Sequence, residues 1–329
     1  MERRPTRGAN PVTAFDNQAG AARARTIPQG VIRTVEGDVG RSAGVALVHE
    51  HVSSDLSARS GPTFLLSDHG LAVAELVAAR EEGVILVVDT GNTGHKRDPG
   101  FLHRCAVASG VAIVASTGHY RQGFFPPAVT ESSADRLAAG MVADLTTGFK
   151  GSAIRAGAIA EIGCSGAVPT PDETKVLRAA GMAQAQTGAP LMTHTAEGLG
   201  WENQLQVLSG VGVNLGRVVI GHMDCLDDEA AHRAIIDRGA WLGFDRVGLT
   251  ALQSDQVRCR LLAGLERDGY LGRVLLSMDI ATTERYRKAG APGYAGIITD
   301  FIPRLEAVGM SAAAIHQLVY ENPWTFLLS

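Results

Sequence analysis

A chain of 329 residues has room for one large domain or two ordinary ones. At 45% hydrophobic and 19% charged residues it has ample apolar material for a core, and its formal charge of −4 excludes an electrostatic nucleic-acid binder. No apolar run approaches the roughly 18 residues a transmembrane helix needs, so none is expected.

The first 30 residues, "MERRPTRGANPVTAFDNQAGAARARTIPQG", are Arg-rich but lack an apolar stretch. They read as neither a Sec nor a twin-arginine signal, and residues 1–29 are expected to form a mobile extension ahead of a single domain over 30–329. From there, short apolar runs recur at 44–49 (GVALVH), 84–89 (VILVVD), 111–116 (VAIVAS), 157–162 (GAIAEI), 190–194 (PLMTH), 217–222 (RVVIGH), 239–244 (GAWLGF) and 273–278 (RVLLSM). Continuous apolar strands of this kind are buried on both faces, as in a parallel sheet. Helical stretches lie between them at 70–82, 131–146, 172–187, 226–238 and 251–268, with Asp172 and Asp227 placed as caps. Eight strands alternating with helices predict an α/β protein of the (β/α)8 TIM-barrel class. An open doubly wound sheet is the alternative, but no Gly-rich dinucleotide loop follows the first strand. Cys105, Cys164, Cys225 and Cys259 are scattered without a CxxC, which suits reduced thiols of a cytoplasmic protein.

What ends each strand carries the chemistry. The first run closes on "HEH", and strand alternation puts His49 and His51 on one face with Glu50 on the other. Taken alone, such a pair is more often a hydrogen-bonded couple than a metal site. The fourth run, however, ends in Glu161, the fifth in His194, the sixth in His222 and the eighth in Asp279. In a barrel these ends converge on one mouth, where active sites are built. Four histidines and two carboxylates exceed what one zinc needs and match two divalent ions sharing a bridging carboxylate.

With "LVHEHV" (47–52), "AGAIAEIG" (156–163), "MTHT" (192–195), "IGHMD" (220–224), "LSMDI" (276–280) and the closing "ENPWTFL" (321–327), the chain resembles the phosphotriesterase family of the amidohydrolase superfamily. The resemblance implies a barrel holding two divalent metals, commonly zinc. His49, His51 and Asp279 would bind the buried ion, and His194 and His222 the exposed one. A carboxylate and a water-derived hydroxide would bridge them. Many relatives use a carboxylated lysine there; residues 151–165 hold no lysine, and Glu161 takes its place, as in the phosphotriesterase homology branch. Asp279 would then accept the nucleophile's proton.

Tyr120 after the third strand and Arg246 after the seventh follow the pattern of phosphotriesterase-like lactonases, and a relay histidine of organophosphate hydrolases is absent. The resemblance thus implies a hydrolase of lactones, esters or amides with weak phosphotriesterase activity; an organophosphate hydrolase or a non-catalytic barrel are the alternatives. The loop 281–296 gathers Arg285, Arg287 and Lys288, a solvated face or a dock for an anionic part of the substrate. Glu50 is expected to be a structural partner under a helix. His69, His95, His103, His119, His232 and His316 read as surface or packing residues, His119 being nearest the mouth. The expected partner is a small-molecule substrate, with neither nucleic acid nor membrane, in a homodimer.

Overall fold

A computed structural model describes residues 30–329; the extension expected over 1–29 lies outside the described residues. Eight parallel strands form one sheet in sequential order: β1 (Val45–Glu50), β2 (Val84–Asp89), β3 (Ala112–Thr117), β4 (Ala158–Gly163), β5 (Leu191–His194), β6 (Val218–Ile220), β7 (Trp241–Phe244) and β8 (Val274–Leu276). Helices α1 (His69–Glu81), α2 (Pro99–Ser109), α3 (Ala134–Thr146), α4 (Pro171–Thr187), α5 (Trp201–Ser209), α6 (Glu229–Asp237) and α7 (Asp255–Arg267) connect them. The expected strands lie within about two residues of the observed ones. This is the (β/α)8 barrel.

The strands are buried on both faces because two cores flank them. Ala46, Val48, Leu86, Val88, Val114 and Met192 fill the barrel interior, while the intervening Leu47, Val87, Ile113, Leu191 and Leu242 pack outward against the helices. Small inward residues, among them Ala158 and Ala160, leave room higher up for polar side chains. At the N-terminal end of the barrel, Ile32, Trp324, Phe326 and Leu327 join the interior cluster and close it like a floor. Trp324 donates its indole N–H to Gly44 O at 3.0 Å, and Trp241 does so to Gly216 O at 2.9 Å.

The seam between β1 and β8 is closed by a side chain. Ser277 Oγ accepts the N–H groups of both Val48 and His49, at 2.9 and 3.0 Å, and Asp279 N donates to His49 O at 3.2 Å. Glu50 reinforces it from the other face: its two carboxylate oxygens accept Met278 N at 2.7 Å and Ile280 N at 2.9 Å. It is a structural partner, and what it holds is the segment that follows β8.

Two expected caps shift. Helix α4 is capped by Thr170, in a reciprocal box with Glu173, so Asp172 falls inside the first turn. Helix α6 is capped by Asp228, which accepts from Ala230 N and Ala231 N, and not by Asp227. The stretch 131–146 divides at Ser133, which caps α3 behind a short helix at Pro127–Glu131. All four cysteines are free thiols, and no described helix is long and apolar enough to cross a membrane.

Candidate metal centre

His49 lies near the end of β1 and His51 directly follows the strand, Glu161 lies in β4, His194 ends β5, and His222 and Asp279 follow β6 and β8. All six are buried, none more than 9% exposed. Plain strand alternation would not bring them together. Ala46 and Val48 point into the barrel, so continued alternation would send Glu50 inward; a register shift against β2 between Leu47 and Glu50 marks the switch that turns both histidines to the centre. In β4, Ala158 and Ala160 point inward, and Glu161 joins them out of phase through a left-handed backbone, φ 53°, at a second register shift. His222 and Asp279 are left-handed too, at φ 62° and 50°.

Such conformations cost about 1–3 kcal/mol each in a non-glycine residue and persist only where neighbours enforce them. The enforcing groups are visible. Asn92, fully buried, donates its Nδ2 to Ala160 O at 3.0 Å and Glu161 O at 3.1 Å. Asp245 Oδ1 accepts His222 N at 2.9 Å.

Glu161 stands at the centre. Its Oε1 is 2.9 Å from His49 Nε2 and 3.6 Å from His222 Nε2, and its Oε2 is 3.1 Å from His194 Nδ1. Two groups, His49–His51–Glu161 and Glu161–His194–His222, each bring three donor atoms within 4.8 Å of one another and share Glu161. Asp279 borders the first, its Oδ1 lying 3.1 Å from His51 Nε2 and 3.7 Å from His49 Nε2. His49 Nε2 and Glu161 Oε1 are buried and take part in no hydrogen bond, although they face each other. Buried polar atoms are nearly always paired, so two lone pairs left facing one point fit a metal cation.

The expectation from sequence missed one residue of this centre. Asp245, immediately after β7 and fully buried, lies 2.7 Å from His222 Nδ1 and 3.2 Å from His49 Nδ1. Its Oδ1 takes the His222 nitrogen that points away from Glu161, which fixes that ring's tautomer and orientation, and its Oδ2 faces the corresponding nitrogen of His49. The signal was present: a carboxylate at a strand end, as at Asp279. Glycines make its space, since a Cβ on Gly243 would meet Asp245 Oδ2 at 2.3 Å.

Charge follows geometry. Burial opposes ionisation of Glu161, but His194, His222 and His49 outweigh it and hold the carboxyl well below its usual range. Asp279 is likewise depressed against burial by His51, His49 and Arg246. His49 is raised well above the ordinary imidazole value, burial being overcome by Asp245 and Glu161. Burial takes His194 down to about 4.

Above this centre lies a cavity of about 440 Å³ whose lining includes His51, Glu161 and Asp279 with Tyr120, Phe124 and Arg246. The Tyr120 ring stands edge-on to His194, centroids 4.9 Å apart. Arg246 donates Nε to Asp279 Oδ2 at 3.0 Å, so it is ion-paired and also faces the cavity. Arg285 lines the cavity as well, and its terminal nitrogens bind backbone: Nη2 donates to Val247 O at 2.7 Å, and Nη1 to Met278 O and, at 3.2 Å, to Asp279 O. It clamps the loop after β8. Arg287 and Lys288 do not line the cavity; their backbone N–H groups donate to Glu75 at 2.9 and 3.1 Å. The histidine at the mouth is His95, not His119. His95 is buried, stacked on His51 at 4.8 Å and 4.3 Å from the Tyr120 ring, whereas His119 pairs with Thr93 Oγ1 away from the cavity.

The profile of the phosphotriesterase family matches residues 30–327. The chain belongs to the phosphotriesterase family. Within it, the chain is 36% identical over 284 residues to the phosphotriesterase homology protein of Escherichia coli strain K12, covering 86% of this chain and 97% of that one. A crystal structure of phosphotriesterase homology protein from Escherichia coli, complexed with phosphate in the active site, matches with a TM-score of 0.84 at 36% identity, over 87% of this chain and 99% of that one. The chain is also 31% identical over 265 residues to the N-acetyltaurine hydrolase of Rattus norvegicus, covering 77% and 76% of the two chains. With the histidine–carboxylate groups described above, family membership makes it a metal-dependent hydrolase.

Proposed function

We propose that this phosphotriesterase-family hydrolase works with two divalent ions, zinc foremost, and that it cleaves carbonyl substrates, namely lactones, carboxyl esters or amides, with weak turnover of phosphotriesters. The observation that carries the reading is the pair of three-residue groups sharing Glu161 at the floor of a 440 Å³ cavity. His49, His51 and Asp279 would hold one ion, His194 and His222 the other, with Glu161 common to both. Bound there, divalent cations supply Lewis acidity and an activated water near neutral pH.

The chain's own residues set up the rest. Glu161 places a fixed negative charge between the imidazoles without needing carbon dioxide, since its carboxylate is encoded. Asp279, ionised and on the cavity wall, is placed to accept a proton from attacking water, and Arg246 on its Oδ2 keeps it charged and oriented. Tyr120 and Arg246 line the space a substrate carbonyl oxygen would enter. Leu56, Phe64, Phe124 and Leu249 give that space an apolar wall suited to an acyl group. The rat relative's name specifies an amide with an anionic sulfonate, and a cationic side chain on the cavity wall suits a substrate of that kind.

Elemental analysis of metal-replete protein should find about two divalent ions per chain, the stoichiometry of two-metal hydrolases. Loaded protein assayed on lactones, aryl esters, N-acyl amino compounds and paraoxon should favour a carbonyl substrate. One ion or none, or paraoxon ahead of every carbonyl compound, would reject the corresponding half of the proposal.

A further inference from the structure

Three arginines line the cavity, and two of them are already committed. Arg246 is ion-paired with Asp279, and Arg285 donates to the carbonyls of Met278, Asp279 and Val247. The third, Arg121, forms no ion pair among the described residues, and its Nε is buried without a hydrogen-bond partner. Of the cavity carboxylates, Glu161 and Asp279 are engaged at the floor and Glu284 is exposed; none pairs with Arg121. We propose that Arg121 is the residue that recognises an anionic group on the substrate, a carboxylate or sulfonate held a few bonds from the scissile carbonyl.

The position is built for this. Gly163 N donates to Tyr120 O at 2.7 Å, which fixes residues 120 and 121 against the end of β4, two residues from Glu161. The approach is close enough that a Cβ on Gly163 would meet Arg121 Cβ at 2.9 Å. Beyond that anchor the guanidinium carbon lies over two rings, 5.2 Å from the Tyr120 centroid and 5.0 Å from that of Phe124. Contact with both rings limits its rotamers and leaves the buried Nε without a protein partner among the described residues. An arriving oxyanion would supply charge-assisted hydrogen bonds to this half-buried guanidinium. The basic run at 285–288 offers less, because its one cavity residue, Arg285, already donates Nη1 and Nη2 to backbone carbonyls.

The inference rests on reading this cavity as the substrate site, and a binding measurement separates the two. Calorimetric titration of metal-loaded protein with propane-1-sulfonate, with butyrate, and with neutral propan-1-ol reads Arg121 whether or not any substrate turns over. Wild type should bind at least one of the two anions, with an affinity that falls as salt rises; the two arms tell sulfonate from carboxylate. Arg121→Gln should weaken the anion about tenfold or more, the scale of a hydrogen bond to a charged group, and should abolish the salt dependence while leaving the alcohol unchanged. Arg121→Lys should keep part of the affinity. In turnover, Arg121→Gln should raise KM for N-acetyltaurine with little change in kcat, and leave KM for N-acetylethanolamine alone. Anion binding unchanged in Arg121→Gln would place the oxyanion on the metals or on Arg285 and overturn the proposal. So would equal weakening of anion and alcohol, or a loss in Arg121→Lys as deep as in Arg121→Gln.

Discussion

Asp245 shows how much of a metal centre lies one bond beyond the ligands. It accepts from His222 Nδ1 and faces His49 Nδ1, one imidazole from each of the two Glu161 groups. Removing such a partner typically lowers metal affinity about 10–100-fold. Asp245→Ala should therefore fold but retain metal poorly, read as a right-shifted zinc competition curve against a chelator; wild-type affinity would show that the rings are held by packing alone. Carboxylates also set the pH behaviour. In the metal-free protein, against the effect of burial, Asp245 and Glu161 raise His49, and Asp279 and Glu161 raise His51. A raised imidazole stabilises the metal-free fold fully below the unfolded value of about 6.5, and that contribution disappears as pH rises through the folded value. Metal binding requires neutral rings and strengthens in the same direction. The rise in Tm on adding zinc should thus be small near pH 5.5 and large near pH 8.5; a rise independent of pH would contradict the assignment. At this scale sequence was informative about residue type and poor about partners. His49, His51 and Asp279 were legible from strand ends, and Asp245 was equally legible by that rule. That Arg285 is tied to backbone carbonyls, and that Arg121 has no ion pair among the described residues, depends on which carbonyls and carboxylates surround each.

At the scale of elements, the strands were legible because both of their faces are buried, which leaves long apolar runs such as VILVVD. The breaks in their alternation were not legible. Nothing local in "AIAEIG" announces that Glu161 will be left-handed; the conformation is imposed from outside by Asn92, which sits in the loop after β2. Caps missed by a residue or two had a readable cause, since Thr170 and Glu173 form a T-x-x-E box that outweighs Asp172. The role given to Asn92 makes a prediction. Asn92→Ala leaves Ala160 O and Glu161 O unpaired in a buried site, a cost of about 1–3 kcal/mol each. Because it also frees the strained backbone, it should lower metal occupancy along with Tm, and added zinc should recover much of the lost Tm. A Tm loss that zinc does not restore, at full metal occupancy, would mean that Asn92 serves only the barrel and not the position of Glu161.

Over the whole molecule, function and closure occupy opposite ends of the barrel. The centre lies at the C-terminal ends of the strands, and the interior column of Ala46, Val48, Leu86 and Val88 separates it from a floor in which the beginning and end of the described chain meet. Gly30 N donates to Leu328 O at 3.1 Å, and Trp324 is buried against β1 with its indole N–H on Gly44 O. The barrel class was legible from the repeat of strand and helix, but this floor was not, because it pairs residues nearly 300 positions apart. In barrels of this kind the N-terminal face carries stability and the opposite face carries chemistry. Trp324→Phe tests that division here. It keeps an aromatic ring in the floor but drops the indole donor and leaves Gly44 O unpaired, which costs about 1–3 kcal/mol. For a domain of this size that is a fall in Tm of roughly 1.5–5 °C. Below the new transition, kcat, KM and metal content should stay within about twofold of wild type, since none of the ligands touches the floor. A variant that is fully folded by calorimetry yet has lost metal or turnover would show that the interior column transmits strain from the floor to the strand ends.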